Sequence, residues 1–170
     1  EITPSDYGET PTIGQALTVA SGGTDFELTW PKRSKLYYPA SVTAVPGGTG
    51  GSATNCATVN ISSGTFNFDY KCIPFGTCQI AGSSTSLRVD LVARYNAVDG
   101  DEIGRAYGMS GQNDRLTLTP SPVAGAADSV GKTSAGDGCL VYFNTERQSG
   151  SATYSASSSY MKFGVLVVPA

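Results

Sequence analysis

The chain has 170 residues, of which 39% are hydrophobic and only 15% charged, with 11 Lys and Arg against 14 Asp and Glu and no histidine at all. That charge density is far below the roughly 25% of an average soluble domain, so the surface is expected to consist mainly of Ser, Thr, Gly, Asn and Gln. A net charge of −3 leaves no basic stripe for nucleic-acid phosphates, and the lack of histidine excludes Ser-His-Asp and Cys-His catalysis and the usual catalytic zinc sites.

Residues 1–23 are polar and loosely patterned, with Pro4 and Pro11 opposing a helix and only Leu17 and Val19 alternating with polar neighbours. They read as an N-terminal arm or edge strand, with a β-sandwich domain expected over 24–170. The chain begins at Glu1 instead of methionine, which implies that a leader was removed or the chain was trimmed. Asp25–Trp30 alternates Phe26, Leu28 and Trp30 and is a half-buried strand; Lys32–Lys35 (KRSK) is a solvated basic turn. Leu36–Val45 is a strand interrupted by Pro39, and Pro46–Ser52 is a Gly-rich connection.

Cys56–Ile61 and Thr65–Tyr70 read as a hairpin about Ser62-Ser63-Gly64, and Cys72–Cys78 as a loop turned by Pro74 and Gly76. Ser86–Tyr95 puts Leu87, Val89, Leu91 and Ala93 on one face and Arg88, Asp90, Val92 and Arg94 on the other, which predicts one dry and one wet face. A short strand follows the acidic turn in Val98–Gly108, another spans Leu116–Leu118, and Val123–Gly138 is a long small-residue loop. Cys139–Asn144 is a strand, Gln148–Ser159 a Ser-rich loop, and Tyr160–Pro169 (YMKFGVLVVP) the longest apolar run, a buried strand expected at the centre of a sheet. At about half the roughly 20 residues of a membrane helix, it predicts no membrane span. No segment carries a helical period, so the fold class is all-β: an antiparallel β-sandwich of jelly-roll or Greek-key type with long Gly/Ser-rich loops.

Chemistry-bearing patterns are few. Ala126–Thr133 (AADSVGKT) matches a relaxed phosphate-loop spacing, but SAGDG follows it and no helix starts there to cradle a phosphate. Asp69, Asp90, Asp99, Asp101, Glu102 and Asp137 are the acid–base candidates, each better explained as a solvated turn or strand face, so no catalytic residue and no cofactor is assigned. Asp99, Asp101 and Glu102 form a weak calcium candidate without EF-hand spacing; no other metal site is expected. Tyr38 and Tyr154 are the candidate binding aromatics, with Tyr154 expected to be exposed in its Ser-rich loop. Four cysteines allow three pairings. All four are expected oxidised as Cys72–Cys78, bent together by Pro74 and Gly76, and Cys56–Cys139, by elimination; Cys56–Cys72 is the rival.

The stretch GDGCLVYF, followed by a Ser-rich loop and SSYMKFGVLVV, resembles the last two strands of jelly rolls of the C1q and tumour-necrosis-factor type and is similar to the last strands of viral coat jelly rolls. The resemblance covers about the last quarter of the chain and transfers no binding or catalytic residue. The expected function is a non-enzymatic structural subunit of a repeating extracellular or virion-type assembly, a coat, fibre or pilus-like filament, joined to copies of itself through a terminal strand or arm. The alternative is a secreted adhesin module that binds a host glycan or receptor. The expected location is extracellular, on a cell-surface filament or a virion.

Overall fold

The computed structural model describes residues 18–20, 27–29, 33–45, 53–82, 87–108, 114–118, 131–150 and 153–170. The chain divides into two compact units, Glu1–Arg33 and Ser34–Ala170. The first holds β1 (Thr18–Ala20) and β2 (Glu27–Thr29), paired antiparallel with Val19 opposite Leu28. The expected boundary at residues 23 and 24, and the faces of Phe26 and Trp30, lie outside the described residues.

The second unit contains β3 (Lys35–Tyr37), β4 (Thr54–Ile61), β5 (Tyr70–Gly82), β6 (Arg88–Tyr95), β7 (Asp101–Ala106), β8 (Asp114–Leu118), β9 (Lys132–Thr133), β10 (Cys139–Ser149), β11 (Tyr154–Ala156) and β12 (Lys162–Pro169). Their pairing is nested. β3 pairs with β12, β4 with β10, β5 with β8, and β6 with β7, all antiparallel, so the first half of the unit lies along the second half in reverse order. Such a ribbon, rolled up, gives two sheets: β4-β10-β6-β7, and β3-β12-β5 with β8, β9 and β11 also on β5. This is a jelly-roll sandwich. Among the described residues the only helical element is a single 3₁₀ turn at Ser158–Tyr160.

Alternation places the core between the sheets. Val59 and Ile61 of β4, Leu91 and Ala93 of β6, Val141 and Phe143 of β10, and Val165 and Val167 of β12 are all essentially inaccessible to solvent. Phe143 and Phe163 stack across the gap with ring centroids 4.8 Å apart. Phe66, Phe68 and Tyr70 fill one end, with Tyr37 edge-on to Phe66. Along one side, residues 42–45 cross between the sheets: Val42 bridges to Ala57 of β4 and Val45 to Ala156 of β11.

Three sequence expectations change. The Cys72–Cys78 stretch is not a loop but the middle of β5, a 13-residue strand. Cys72 N–H donates to Gly131 O on the β9 side. Pro74, two residues on, faces that same side, where β5 runs between its pairings with β9 and β8, so its missing N–H breaks no ladder. The expected hairpin at Ser62–Gly64 is instead a turn, with Gly64 at φ 78° and Thr65 N–H donating to Ser62 O, that carries the chain from the β4 sheet to the β5 sheet. The Ser-rich stretch before the last strand contains β11, which pairs with residues 80–82 of β5.

Phe143 is the test of this core. Phe143→Ala removes a fully buried ring from the inter-sheet stack and is expected to cost about 3–5 kcal/mol in urea unfolding. Tyr160→Ala, at a side chain 53% exposed, should stay within about 0.5 kcal/mol of the parent.

Candidate functional site

The outward face of β6 is not wet. Asp90 and Val92 are fully buried there, with Asn144 and Glu146 of the adjacent β10 beside them. Strand pairing builds the cluster: β6 lies between β10 and β7, so outward positions 90 and 92 lie opposite 146 and 144 on one side, and 92 and 94 opposite 105 and 102 on the other. Arg94 grips Glu146 in a fork, Nε to Oε1 at 2.6 Å and Nη2 to Oε2 at 3.0 Å, and donates Nη1 to Gly100 O at 2.9 Å. Arg105 donates Nη1 to Asp90 Oδ2 at 2.8 Å and holds Glu102 through Nε and Nη2. Asp90 Oδ1 also accepts from Gly108 N–H at 2.9 Å, and Arg88 lies against the same carboxylate at 3.2 Å. The exposed ring of Tyr107 lies against the Arg88 and Arg105 guanidinium groups, 5.3 and 5.9 Å from its centroid.

Three arginines thus meet three carboxylates, with every carboxylate oxygen engaged. Hydrogen bonds to Glu102 and Asp90 raise the Arg105 pKa, and that to Glu146 raises Arg94, so these cations are fixed. A neutral, saturated cluster offers no free acid or base and no net field for a charged ligand. Its use is mechanical: it ties β6, β7 and β10 together on the outside as the apolar core does inside. The signal was present in the sequence only as alternating charges at 88, 90 and 94, and alternation does not tell a paired buried face from a solvated one.

The sequence-predicted residues separate. Asp99 and Asp101 are exposed, while Glu102 is turned to Arg105; among the described residues no group of three or more His, Cys, Asp or Glu is placed to hold a metal ion. Tyr38 is 64% exposed, but Tyr154 is 1% exposed, the reverse of expectation, because β11 folds it inward to bond its hydroxyl to Thr145 Oγ1 at 3.1 Å. Of the phosphate-loop lookalike, 126–130 lie outside the described residues. Lys132 and Thr133 form a strand on β5, and Lys132 Nζ pairs with Asp69 at 3.0 Å.

The disulfide assignment is overturned: all four cysteines are free, buried thiols. Cys72 and Cys78 lie on one extended strand, six residues or about 20 Å apart. Cys139 sits opposite Ile61, five residues or about 16 Å along β4 from Cys56. The extracellular inference that rested on those pairs loses that support. Burial pushes the Cys56 and Cys78 thiols up, Cys78 to about 12. Cys139 differs. The contact with the Cys72 sulfur foremost, with Thr133, Tyr70 and Tyr95 adding to it against the opposing effect of burial, lowers it to about 6, while Cys72 is raised.

No family model matches the chain, and no curated protein matches it. Among solved structures, a chain from the structure of infectious bursal disease virus, Gx strain, is similar at TM-score 0.43 and 12% identity over 89% of this chain and 38% of its own length. One from the Gt strain gives 0.39 and 10% over 91% and 38%. The chain therefore spans less than two fifths of either neighbour.

Two outcomes check these assignments. Asp90→Ala leaves Arg105 and Arg88 facing each other without their shared anion and is expected to lower unfolding free energy by about 3–5 kcal/mol, whereas Asp101→Ala, at an exposed turn, should change it by under about 0.5 kcal/mol. The second concerns pH. An acid whose folded pKa is depressed adds stability above its unfolded pKa and loses it as pH falls through the folded value. With Cys139 lowered from 9.0 to about 6, stability should rise between those limits in the parent. The groups facing the sulfur are Cys72 and Tyr70 of β5, Tyr95 of β6 and Thr133 of β9. In Cys139→Ser the rise should flatten; equal slopes in parent and variant would refute the assignment.

Proposed function

We propose that this chain is a non-enzymatic structural subunit of a repeating assembly of virion-coat type, with residues 1–33 acting as an arm that docks on a neighbouring copy. The observation that carries this reading is the division of the chain into a complete jelly roll and a separate 33-residue N-terminal unit. Among its described residues that unit shows two paired strands of three residues each, and a two-stranded ribbon by itself is marginal in water. Such a unit needs a partner surface, and a copy of the sandwich supplies one at no cost in new sequence. Jelly rolls are a common building block of virus coats and of lectins; the architecture alone leaves both open. The saturated Arg–carboxylate cluster favours a structural role over acid–base chemistry. The adhesin alternative loses one of its two aromatic anchors with Tyr154 turned into the core.

Light scattering and negative-stain electron microscopy of the purified chain, with and without residues 1–33, test the reading. The full chain is expected to form discrete oligomers or particles, and the 34–170 fragment to remain folded and lose them. A full chain that stays monomeric up to millimolar concentration would sink the proposal. Binding to a glycan array by that monomer would transfer the case to the adhesin.

A further inference from the structure

Cys72 of β5 and Cys139 of β10 come from opposite sheets, and their Sγ atoms are 3.5 Å apart. Both side chains are buried, at 6% and 4% exposure, so sheet packing sets this separation. A disulfide requires about 2.05 Å between sulfurs, about 1.5 Å less than the separation here. The setting is also chemically distinct from the rest of the core. Tyr70 Oη is 3.7 Å from Cys139 Sγ, and Tyr70 donates to Asp137 O at 3.0 Å. The hydroxyls of Tyr95 and Thr133 share a hydrogen bond of 2.5 Å close by.

We propose that Cys72 and Cys139 are an oxidation site at which a hydroperoxide-class oxidant converts the dithiol into an inter-sheet disulfide that staples β5 to β10. The Cys139 sulfur, which has the Tyr70 hydroxyl at 3.7 Å as well as the Cys72 sulfur at 3.5 Å, is assigned as the attacking thiolate. It displaces hydroxide from the peroxide O–O bond and becomes a sulfenic acid; the Cys72 sulfur then attacks it, forming the S–S bond and expelling the oxygen as water. In sum, two thiols and one hydrogen peroxide give one disulfide and two waters, the sulfurs losing two electrons and the peroxide gaining them. Peroxide is close to water in size, which suits a buried sulfur that larger disulfide oxidants cannot reach. Cys56 and Cys78 are poor competitors. Burial holds both thiols protonated, and Cys56 is engaged with Thr145 Oγ1 at 3.8 Å and Thr54 O at 3.6 Å. The inference does not depend on the assembly reading.

The experiment is peroxide treatment of the folded chain, alkylation of the remaining thiols in urea, and peptide mapping by mass spectrometry without reductant. The expected product has lost two hydrogens, links the Cys72 peptide to the Cys139 peptide, and leaves Cys56 and Cys78 alkylated. Because the bridge closes a loop with a sequence separation of 67, its unfolding midpoint should rise on the order of 10 °C and return on adding dithiothreitol. In Cys72→Ser the sulfenic acid has no resolving thiol, and dimedone should label Cys139. Any other linkage, sulfinic acid at Cys139 beside a free Cys72, or intact thiols at both positions under conditions that oxidise the urea-unfolded chain, overturns the proposal.

Discussion

The roll depends on the ladder between β5 and β12, eight paired positions from Tyr70 opposite Pro169 to Thr77 opposite Lys162. β12 is the last strand in the sequence, yet it lies between β3 and β5. Until it docks, both neighbours present an edge of unpaired N–H and C=O groups, and the core face of Phe163, Val165 and Val167 has nothing to bury against. Every nested pair outside it has a larger sequence separation than the one inside, so closing β3 on β12 comes with the greatest loop entropy. The seam leaves little tolerance. A Cβ on Gly164 would come within 2.4 Å of the Phe75 ring, so at the centre of this strand glycine lets an aromatic side chain lie across the backbone.

The β4-β10-β6-β7 sheet meets a different demand, because its outer face is buried too and is partly built from ions. Desolvating a carboxylate and a guanidinium costs several kcal/mol each before their attraction is counted. The arrangement here offsets that cost by leaving no oxygen unused: Asp90 takes Arg105, Arg88 and the Gly108 N–H. Gly108 can come that close only because it has no side chain, since a Cβ there would lie 1.6 Å from Val89 O. Such a cluster contributes more to register than to net stability. A slip of β6 by one residue would send Asp90 into the apolar core and Leu91 among the charged groups of the outer face, losing both faces at once.

Alternation carried the fold. It located the inner face of β6 at Leu87, Val89, Leu91 and Ala93, while the length of the apolar run marked Tyr160–Pro169 as a central strand, and both are local properties that residues declare by their own hydropathy. What failed was non-local. Pro74 and Gly76 look like a turn, and only the interval between β9 and β8 along one edge of β5 makes Pro74 acceptable in a strand, while Gly76 pairs with Leu118 of β8. Tyr154 looks exposed among serines, and only the closing of β11 on residues 80–82 buries it. Asp90 looks solvated, and its partners lie 15 and 18 residues away on β7 and just beyond it. Cysteine pairing failed for the same reason: spacing measures loop length, while proximity is decided by which strands face each other across the core.

Among the described residues one buried side-chain polar atom, the Tyr37 hydroxyl, has no hydrogen-bond partner, and it belongs to β3, whose edge stands out. Among the described residues β3 pairs only with β12, so its second edge carries no strand. Leu36 is 50% exposed and Tyr38 64%, beside an open row of backbone donors and acceptors. Natural edges are usually blunted by charge, proline or a bulge. The basic run Lys32–Lys35 leads into β3 and ends on its first residue, whose ammonium lies 5.3 Å from the Tyr37 ring centroid, and Pro39 follows the strand. β3 begins two residues after Arg33, the residue at which the N-terminal unit ends.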